Sequence, residues 1–111
     1  MLNIVVIDED VAMKSLMTEW LESAGYRVAT HGNVDLVVFN MVDVKAGARA
    51  AQAVAAAYPE AALIGMSARL SDSLPPDSAL AGALGVARLL AKPVARAEFL
   101  AAVAACALPV R

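Results

Sequence analysis

Short apolar runs alternate along the chain with longer segments in which apolar residues recur at helical spacing. Five of the short runs are bounded by polar or turn residues, and most are rich in β-branched residues, which is typical of strands buried in a sheet. They cover residues 3–7, 26–30, 35–40, 62–66 and 86–90. The pattern predicts five strands, of which the second is the most exposed.

The longer segments predict four helices. Asp10 is a suitable N-cap for a helix that runs to about residue 24 and ends at Gly25. An alanine-rich helix is expected over 47–58, a shorter one over 77–84 with Gly85 as its C-cap, and a closing one over 96–107. Strands that alternate with helices imply an α/β fold, with a parallel sheet covered on both faces.

The candidate functional residues are polar side chains at the carboxyl ends of the predicted strands. Functional groups of open parallel sheets gather beyond these ends. Three acids, an amide, a hydroxyl and an amine are expected to converge there from separate segments: Asp8, Glu9, Asp10, Asn40, Ser67 and Lys92.

The connection between the second and third predicted strands is unusually short, since only residues 31–34 separate them. A parallel crossover normally takes a dozen or more residues. Four extended residues span about 13–14 Å, roughly the length of the strand that must be retraced. Either the second strand is frayed and serves as the crossover, or the local topology differs. In both cases one face of the sheet lacks a covering helix.

Composition limits the class of protein. The 111 residues make one domain over 1–111, and a hydrophobic content of 60% excludes disorder. A net charge of −2 gives no electrostatic case for nucleic acid, and no apolar run reaches the roughly 18–20 residues that a membrane span needs. The single cysteine, Cys106, and the lack of a basic leader favour a cytoplasmic location.

The order and spacing of the strand ends resemble the receiver domain of response regulators in two-component signalling, a CheY-like, flavodoxin-like fold of about five strands. The resemblance covers nearly the whole chain. It implies that Asp8 and Glu9 correspond to the family's metal-binding acidic pair and that Asn40 takes the place of the phosphorylated aspartate. It also implies that Ser67 is the switch hydroxyl and Lys92 the phosphate-pairing lysine.

Several positions depart from that family's pattern. With Asn40, the carboxylate that attacks a phosphodonor is absent. A neutral amide is a poor nucleophile, and its N–H₂ group supplies hydrogen-bond donors where the family has only acceptors. Leu89 stands in place of the aromatic residue that rotates with the switch. The loop 41–45 lacks the usual proline, and the helix between strands 2 and 3 is missing or much reduced. Pro93, by contrast, fits the family, where this proline is often cis.

The resemblance and its departures together imply an atypical receiver, or pseudo-receiver, that is not an enzyme. Such a module acts through phosphorylation-independent protein contacts and takes no cofactor beyond weak Mg²⁺. A protein partner is expected, and a homodimer would hide the face that the missing helix leaves bare. Neither nucleic acid nor membrane is an expected partner.

Two other interpretations stay open on the sequence alone. The first is an ordinary phosphorylatable receiver in which Asn40 was engineered in place of an aspartate, although this single change would not explain the other departures. More remotely, Asp8 and Asp10 fit the Asp-x-Asp pattern of haloacid-dehalogenase-type phosphatases, although residues 84–92 supply no further acidic pair. Asp43 is a weak candidate for a substitute acceptor. The sequence names neither the partner nor the pathway.

Overall fold

One parallel sheet of five strands forms the centre of the molecule in a computed structural model, which describes residues 2–30, 32–75 and 77–107. The strands are β1 (Asn3–Ile7), β2 (Arg27–Val28), β3 (Leu36–Asn40), β4 (Ala62–Ser67) and β5 (Arg88–Ala91). They lie in the order β2-β1-β3-β4-β5, and every neighbouring pair is parallel. This confirms the fold class predicted from the sequence.

The described part of the chain contains four helices, which pack on both faces of this sheet. They are α1 (Val11–Ser23), α2 (Val44–Ala57), α3 (Ala79–Leu84) and α4 (Arg96–Ala107). Successive residues of a strand point to opposite faces, so β1 and β3 contribute to two cores. The first core joins Ile4 and Val6 to α1 and α4, and the second joins Val5 and Val37 to α2 and α3.

Helix ends are set by caps that the sequence only partly revealed. Asp10 caps α1 as predicted, since its carboxylate accepts from the Met13 N–H at 3.1 Å. The prediction that α2 begins at Gly47 is wrong, because the Asp43 carboxylate accepts from the Ala46 N–H at 2.7 Å and starts the helix three residues earlier. Likewise α3 begins after Ser78, whose hydroxyl accepts from the Ala81 N–H at 3.3 Å.

The last strand is shifted towards the site. It covers Arg88–Ala91 rather than residues 86–90. Val86 instead follows Gly85, the C-cap of α3, and its N–H donates to the Ala81 carbonyl at 3.0 Å. The side chain of Val86 is nevertheless buried in the second core, which explains why the apolar run looked like the start of a strand.

The short connection is accommodated by shortening β2. Only Arg27 and Val28 pair with β1, and residues 29–35 serve as the crossover, so the order of strands is unchanged. This is the first of the two arrangements that the sequence allowed. Two bonds hold the crossover to β1: Asn3 Nδ2 donates to the Asn33 carbonyl at 2.8 Å, and the Asn3 N–H donates to Asp35 Oδ2 at 2.9 Å.

The crossover also covers much of the face that lacks a helix. Val34 packs against the second core, and Val5 of β1 is 6% exposed. Ile7, nearer the carboxyl end of β1, is 39% exposed. The bare surface is therefore local rather than a whole face. Of the connection over residues 31–34, His31 lies outside the described residues.

None of the helices in the described ranges is both long and apolar enough to cross a membrane.

Candidate functional site

Four strand ends meet at one edge of the sheet. Asp8 directly follows β1, Asn40 ends β3, Ser67 ends β4 and Lys92 directly follows β5. Because all these strands are parallel, their carboxyl ends lie side by side, as the sequence predicted. Glu9 completes the set from the turn before α1.

Asp8 and Lys92 form a shielded ion pair at the centre of this edge. The Lys92 Nζ lies 2.6 Å from Asp8 Oδ2, and the two side chains are 14% and 2% exposed, respectively. The second oxygen of the carboxylate, Oδ1, accepts from the Asp10 N–H at 2.9 Å. Both oxygens of Asp8 are thus engaged by groups of the chain itself.

Asn40 turns its amide towards the other acid of the pair. Its Nδ2 donates to Glu9 Oε2 at 3.3 Å. An aspartate in this position would place a second acceptor-only group against the Glu9 carboxylate, so the contact depends on an amide. Glu9 is otherwise exposed.

Ser67 is fully buried, and its hydroxyl has partners within the chain. The Oγ donates to the Val42 carbonyl at 3.3 Å and accepts from the Arg69 N–H at 3.1 Å. These bonds tie the loop after β3 to the loop after β4. Sequence reasoning missed both partners; the available signal was that each lies two residues beyond a strand-end residue of the site.

Leu89 and Met41 form the floor behind the site. Leu89 is completely buried in the second core. Met41 is 1% exposed, and its thioether lies against Gly47 and Gly65, where a Cβ would stand 2.6 and 3.3 Å, respectively, from its sulfur. The position where the receiver pattern has a rotating aromatic ring is therefore filled by a packed aliphatic side chain. The peptide bond between Lys92 and Pro93 is cis, as the resemblance suggested.

The site offers a poor set of ligands for a divalent cation. Such cations prefer several hard, anionic oxygens. Asp8 is already paired with a lysine, Asn40 presents an N–H₂ group to Glu9, and Glu9 is the one acid of the pair without a cationic partner. Within residues 2–30, 32–75 and 77–107, no three His, Cys, Asp or Glu side chains are grouped to hold a metal.

Two other acids considered from the sequence have structural roles. Asp10 caps α1 and Asp43 caps α2, each through a carboxylate oxygen bonded to a backbone N–H. Asp43 is thereby committed to the helix start rather than to the cluster. Among the described residues, no buried side-chain nitrogen or oxygen lacks a hydrogen-bond partner. The buried polar side-chain atoms of the site therefore all have partners within the chain.

Comparison with known proteins finds solved structures with the same fold. No protein-family model matches the sequence, and no curated protein is significantly similar to it. The structure of a response regulator receiver domain protein from Clostridium thermocellum is 21% identical, covers 96% of this chain and 94% of its own, and superposes with a TM-score of 0.74. A response regulator from Thermotoga maritima is 16% identical, with coverages of 95% and 96% and a TM-score of 0.75.

A third structure carries more functional detail. It is the response regulator TrrA from Thermotoga maritima, solved with Mg²⁺–BeF; it is 19% identical, covers 96% of this chain and 99% of its own, and gives a TM-score of 0.71. TrrA has also been solved in complex with the histidine kinase ThkA. At these identities the similarity establishes architecture. The chain has the fold of response-regulator receiver domains.

Proposed function

We propose that this chain is a pseudo-receiver of a two-component-type signalling system, which works through protein contacts that do not depend on phosphorylation. One observation carries the proposal: the Asn40 amide donates to Glu9, at the position where the receiver pattern has a nucleophilic carboxylate. An amide in this place cannot form an acyl phosphate, so the phosphoryl group that would operate a switch has no acceptor.

The partners of the other site residues support the same proposal. A phosphoryl group in a receiver is neutralised by a cation and a lysine. Here Lys92 is paired with Asp8, and both oxygens of that acid are occupied. Ser67 is bonded between two loops of the chain. The arrangement supports a static surface rather than a site that awaits a phosphoryl group.

The proposal includes further attributes of the module. The module is not an enzyme, needs no cofactor beyond weakly bound Mg²⁺ and functions in the cytoplasm. Its partner is a signalling protein or an output domain, as the complex of TrrA with a histidine kinase illustrates for that protein. Neither nucleic acid nor membrane is among the proposed partners. We also propose that the domain self-associates.

Phosphorylation of the wild-type chain tests the proposal directly. The chain is incubated with acetyl phosphate and Mg²⁺, and separately with a phosphorylated histidine kinase, beside a competent receiver as a positive control. Intact-mass spectrometry is expected to show no phosphoryl adduct on the wild-type chain. An adduct, mapped to any residue, would contradict the proposal.

Two variants make the result specific to position 40. Asn40→Asp restores the missing carboxylate at the strand end, whereas Asn33→Asp adds one to an exposed residue of the crossover. We expect an adduct on neither the wild type nor Asn33→Asp. An adduct that appears on Asn40→Asp alone would show that the pocket still admits a phosphodonor and that the amide is what prevents the reaction.

A further inference from the structure

A notch interrupts the edge of the sheet beside the site, because β2 ends before β1 does. The last backbone bond that the described residues make on this side joins the Ala29 N–H to the Ile4 carbonyl at 2.8 Å, whereas β1 continues to Ile7. The notch is an open cavity of about 380 Å³, lined by residues of β1, by those that follow β2 and by Glu9.

The edge of β1 is open inside this notch. Alternate residues of a strand direct their backbone groups to the same neighbouring strand. Because the Ile4 carbonyl accepts from the side of β2, the backbone N–H and C=O of Val6 face that side as well, past the last residue of β2. An open strand edge pairs readily with an added extended segment. The notch therefore offers a place for a segment that continues the line of β2.

Large aliphatic side chains are exposed in and beside the notch. Ile7, which lines it together with Val28, is 39% exposed. A second groove, of about 510 Å³, runs along α1 and shares Lys14 with the notch. Val11, in this groove, is 76% exposed. A segment that carries apolar residues at alternate positions would cover such side chains while it pairs with the edge of β1.

The charge of the notch and the α1 groove favours a basic occupant. Asp8 lines the notch but is neutralised by Lys92. The other charged side chains that line the two cavities are three acids and one base: Glu9, Glu19, Glu22 and Lys14. Apart from these residues and the Asp8–Lys92 pair, the sequence contains seven acids and seven bases. The net charge of −2 of the whole chain therefore equals the charge of this surface.

We propose that the notch binds an extended segment of a partner protein in which basic and apolar residues alternate, and that this segment adds to the open edge of β1 with one basic side chain against Glu9. This inference rests on the proposed function and names the chemistry of its protein partner. The Asn40 amide donates to Glu9 Oε2 at 3.3 Å, and no ion pair among the described residues engages that carboxylate. The stem of a lysine or arginine packs on aliphatic side chains while its head meets a carboxylate.

Fluorescence anisotropy with labelled synthetic peptides tests the inference. The probe is a short peptide of four arginine–valine repeats, and its matched control has serine in place of every valine. We expect the wild-type chain to bind the arginine–valine peptide saturably and the arginine–serine peptide at least about fivefold more weakly, because the second peptide lacks the apolar contacts. Absence of saturable binding, or equal affinity for the two peptides, would overturn the inference.

Charge-removing variants locate the bound peptide. Glu9→Gln should raise its dissociation constant at least about fivefold, and the joint change of Glu19 and Glu22 to glutamine about threefold, because each loses attraction to arginine. Lys14→Gln should lower the constant about threefold, since it removes the repulsive charge of this surface. Glu60→Gln is the matched control: Glu60 is exposed between α2 and β4, at the opposite edge of the sheet, and its loss should change the constant by less than about 1.5-fold.

The outcomes separate this inference from the proposed function. If Glu9→Gln binds the peptide as Glu60→Gln does, or if Lys14→Gln weakens binding, the peptide occupies a different surface and the inference is wrong. Circular dichroism verifies that every variant is folded. The same wild-type protein is treated with acetyl phosphate and weighed by mass spectrometry. A phosphoryl adduct would contradict the proposed function, whereas failed peptide binding without an adduct contradicts the inference alone.

Discussion

Replacing Lys92 by methionine probes the interaction that holds the candidate site together. Methionine keeps most of the length and apolar character of the lysine stem and removes the ammonium. The Asp8 carboxylate, 2% exposed, would then be left with the Asp10 N–H as its partner. A shielded charge without a counter-charge is strongly unfavourable. The variant should therefore be less stable than the wild type.

The magnitude follows from the burial of the pair. Removing one partner of a buried ion pair costs about 3–5 kcal/mol. Because the Lys92 side chain is 14% exposed, water can reach the region, and we expect a value near 3 kcal/mol. Asp8→Asn leaves the ammonium on a flexible stem that can turn to solvent, so its cost should be about 1–2 kcal/mol. The double variant strands no charge, and its cost should be about 2 kcal/mol, well below the sum of the two single changes.

Urea unfolding followed by Trp20 fluorescence measures these differences. The ring of Trp20 packs against Phe99 between α1 and α4, at a centroid distance of 5.8 Å, and reports on the first core. A loss of about 3 kcal/mol should lower the urea midpoint by roughly 1–3 M. Lys45→Met, on the exposed face of α2, is the control and should change the stability by less than about 0.5 kcal/mol. A Lys92→Met variant as stable as this control, or strictly additive changes, would refute the reasoning.

Three further predictions concern the metal, the acceptor position and the cysteine. Titration with Mg²⁺ should produce no saturable change in Trp20 fluorescence below millimolar concentrations, and micromolar binding would contradict the proposed site. Asn40→Asp should not recover a full switch, because Leu89 lacks the rotating ring; a phosphorylated variant that changed its oligomeric state would show that the degeneration is a single step. Burial raises the pKa of the Cys106 thiol, while the nearby Arg88 partly opposes this shift. The folded protein therefore favours the protonated thiol. The stability that this preference contributes should be lost as the pH rises above the ordinary thiol pKa of 9.0 and through the raised pKa of Cys106. Cys106→Ser should lose less stability over this range, and equal losses in both proteins would contradict the assignment.

The edge on which the site lies was predictable because few physical alternatives exist. Parallel strands present their carboxyl ends at one edge of a sheet, so the apolar runs before Asp8, Asn40 and Lys92 were sufficient to bring these residues together. The cap at Asp10 was recognisable from a good capping residue before a helical pattern. Asp43 caps α2 in the same way. It was considered only as a substitute acceptor, because it lies three residues after Asn40.

The partners inside the site could not be predicted in this way. Whether Lys92 pairs with Asp8 or Glu9 depends on differences of a few ångströms and on side-chain rotamers, which the sequence does not specify. The length of β2 was also left open, since a frayed strand was one of two alternatives that the sequence allowed. Its residues have good strand propensity, but the short crossover after Val28 must return along β1, and this constraint outweighs local preference.

Two of the departures from the receiver pattern, Asn40 and the missing helix, affect the surroundings of one residue, Glu9. The amide of Asn40 donates to its carboxylate, and an open cavity of about 380 Å³ lies beside it, beyond the end of the shortened β2. Asp8, the other acid of the pair, is neutralised by Lys92, so Glu9 is the acid of this pair whose charge is left for an external group. Aliphatic side chains, including those of Val5, Ile7 and Val28, line this cavity together with Glu9, a combination that suits the apolar stem and charged head of a lysine or arginine side chain. The amide at position 40 and the shortened β2 therefore both act on the surroundings of Glu9, whose carboxylate has an amide partner and no ion pair among the described residues.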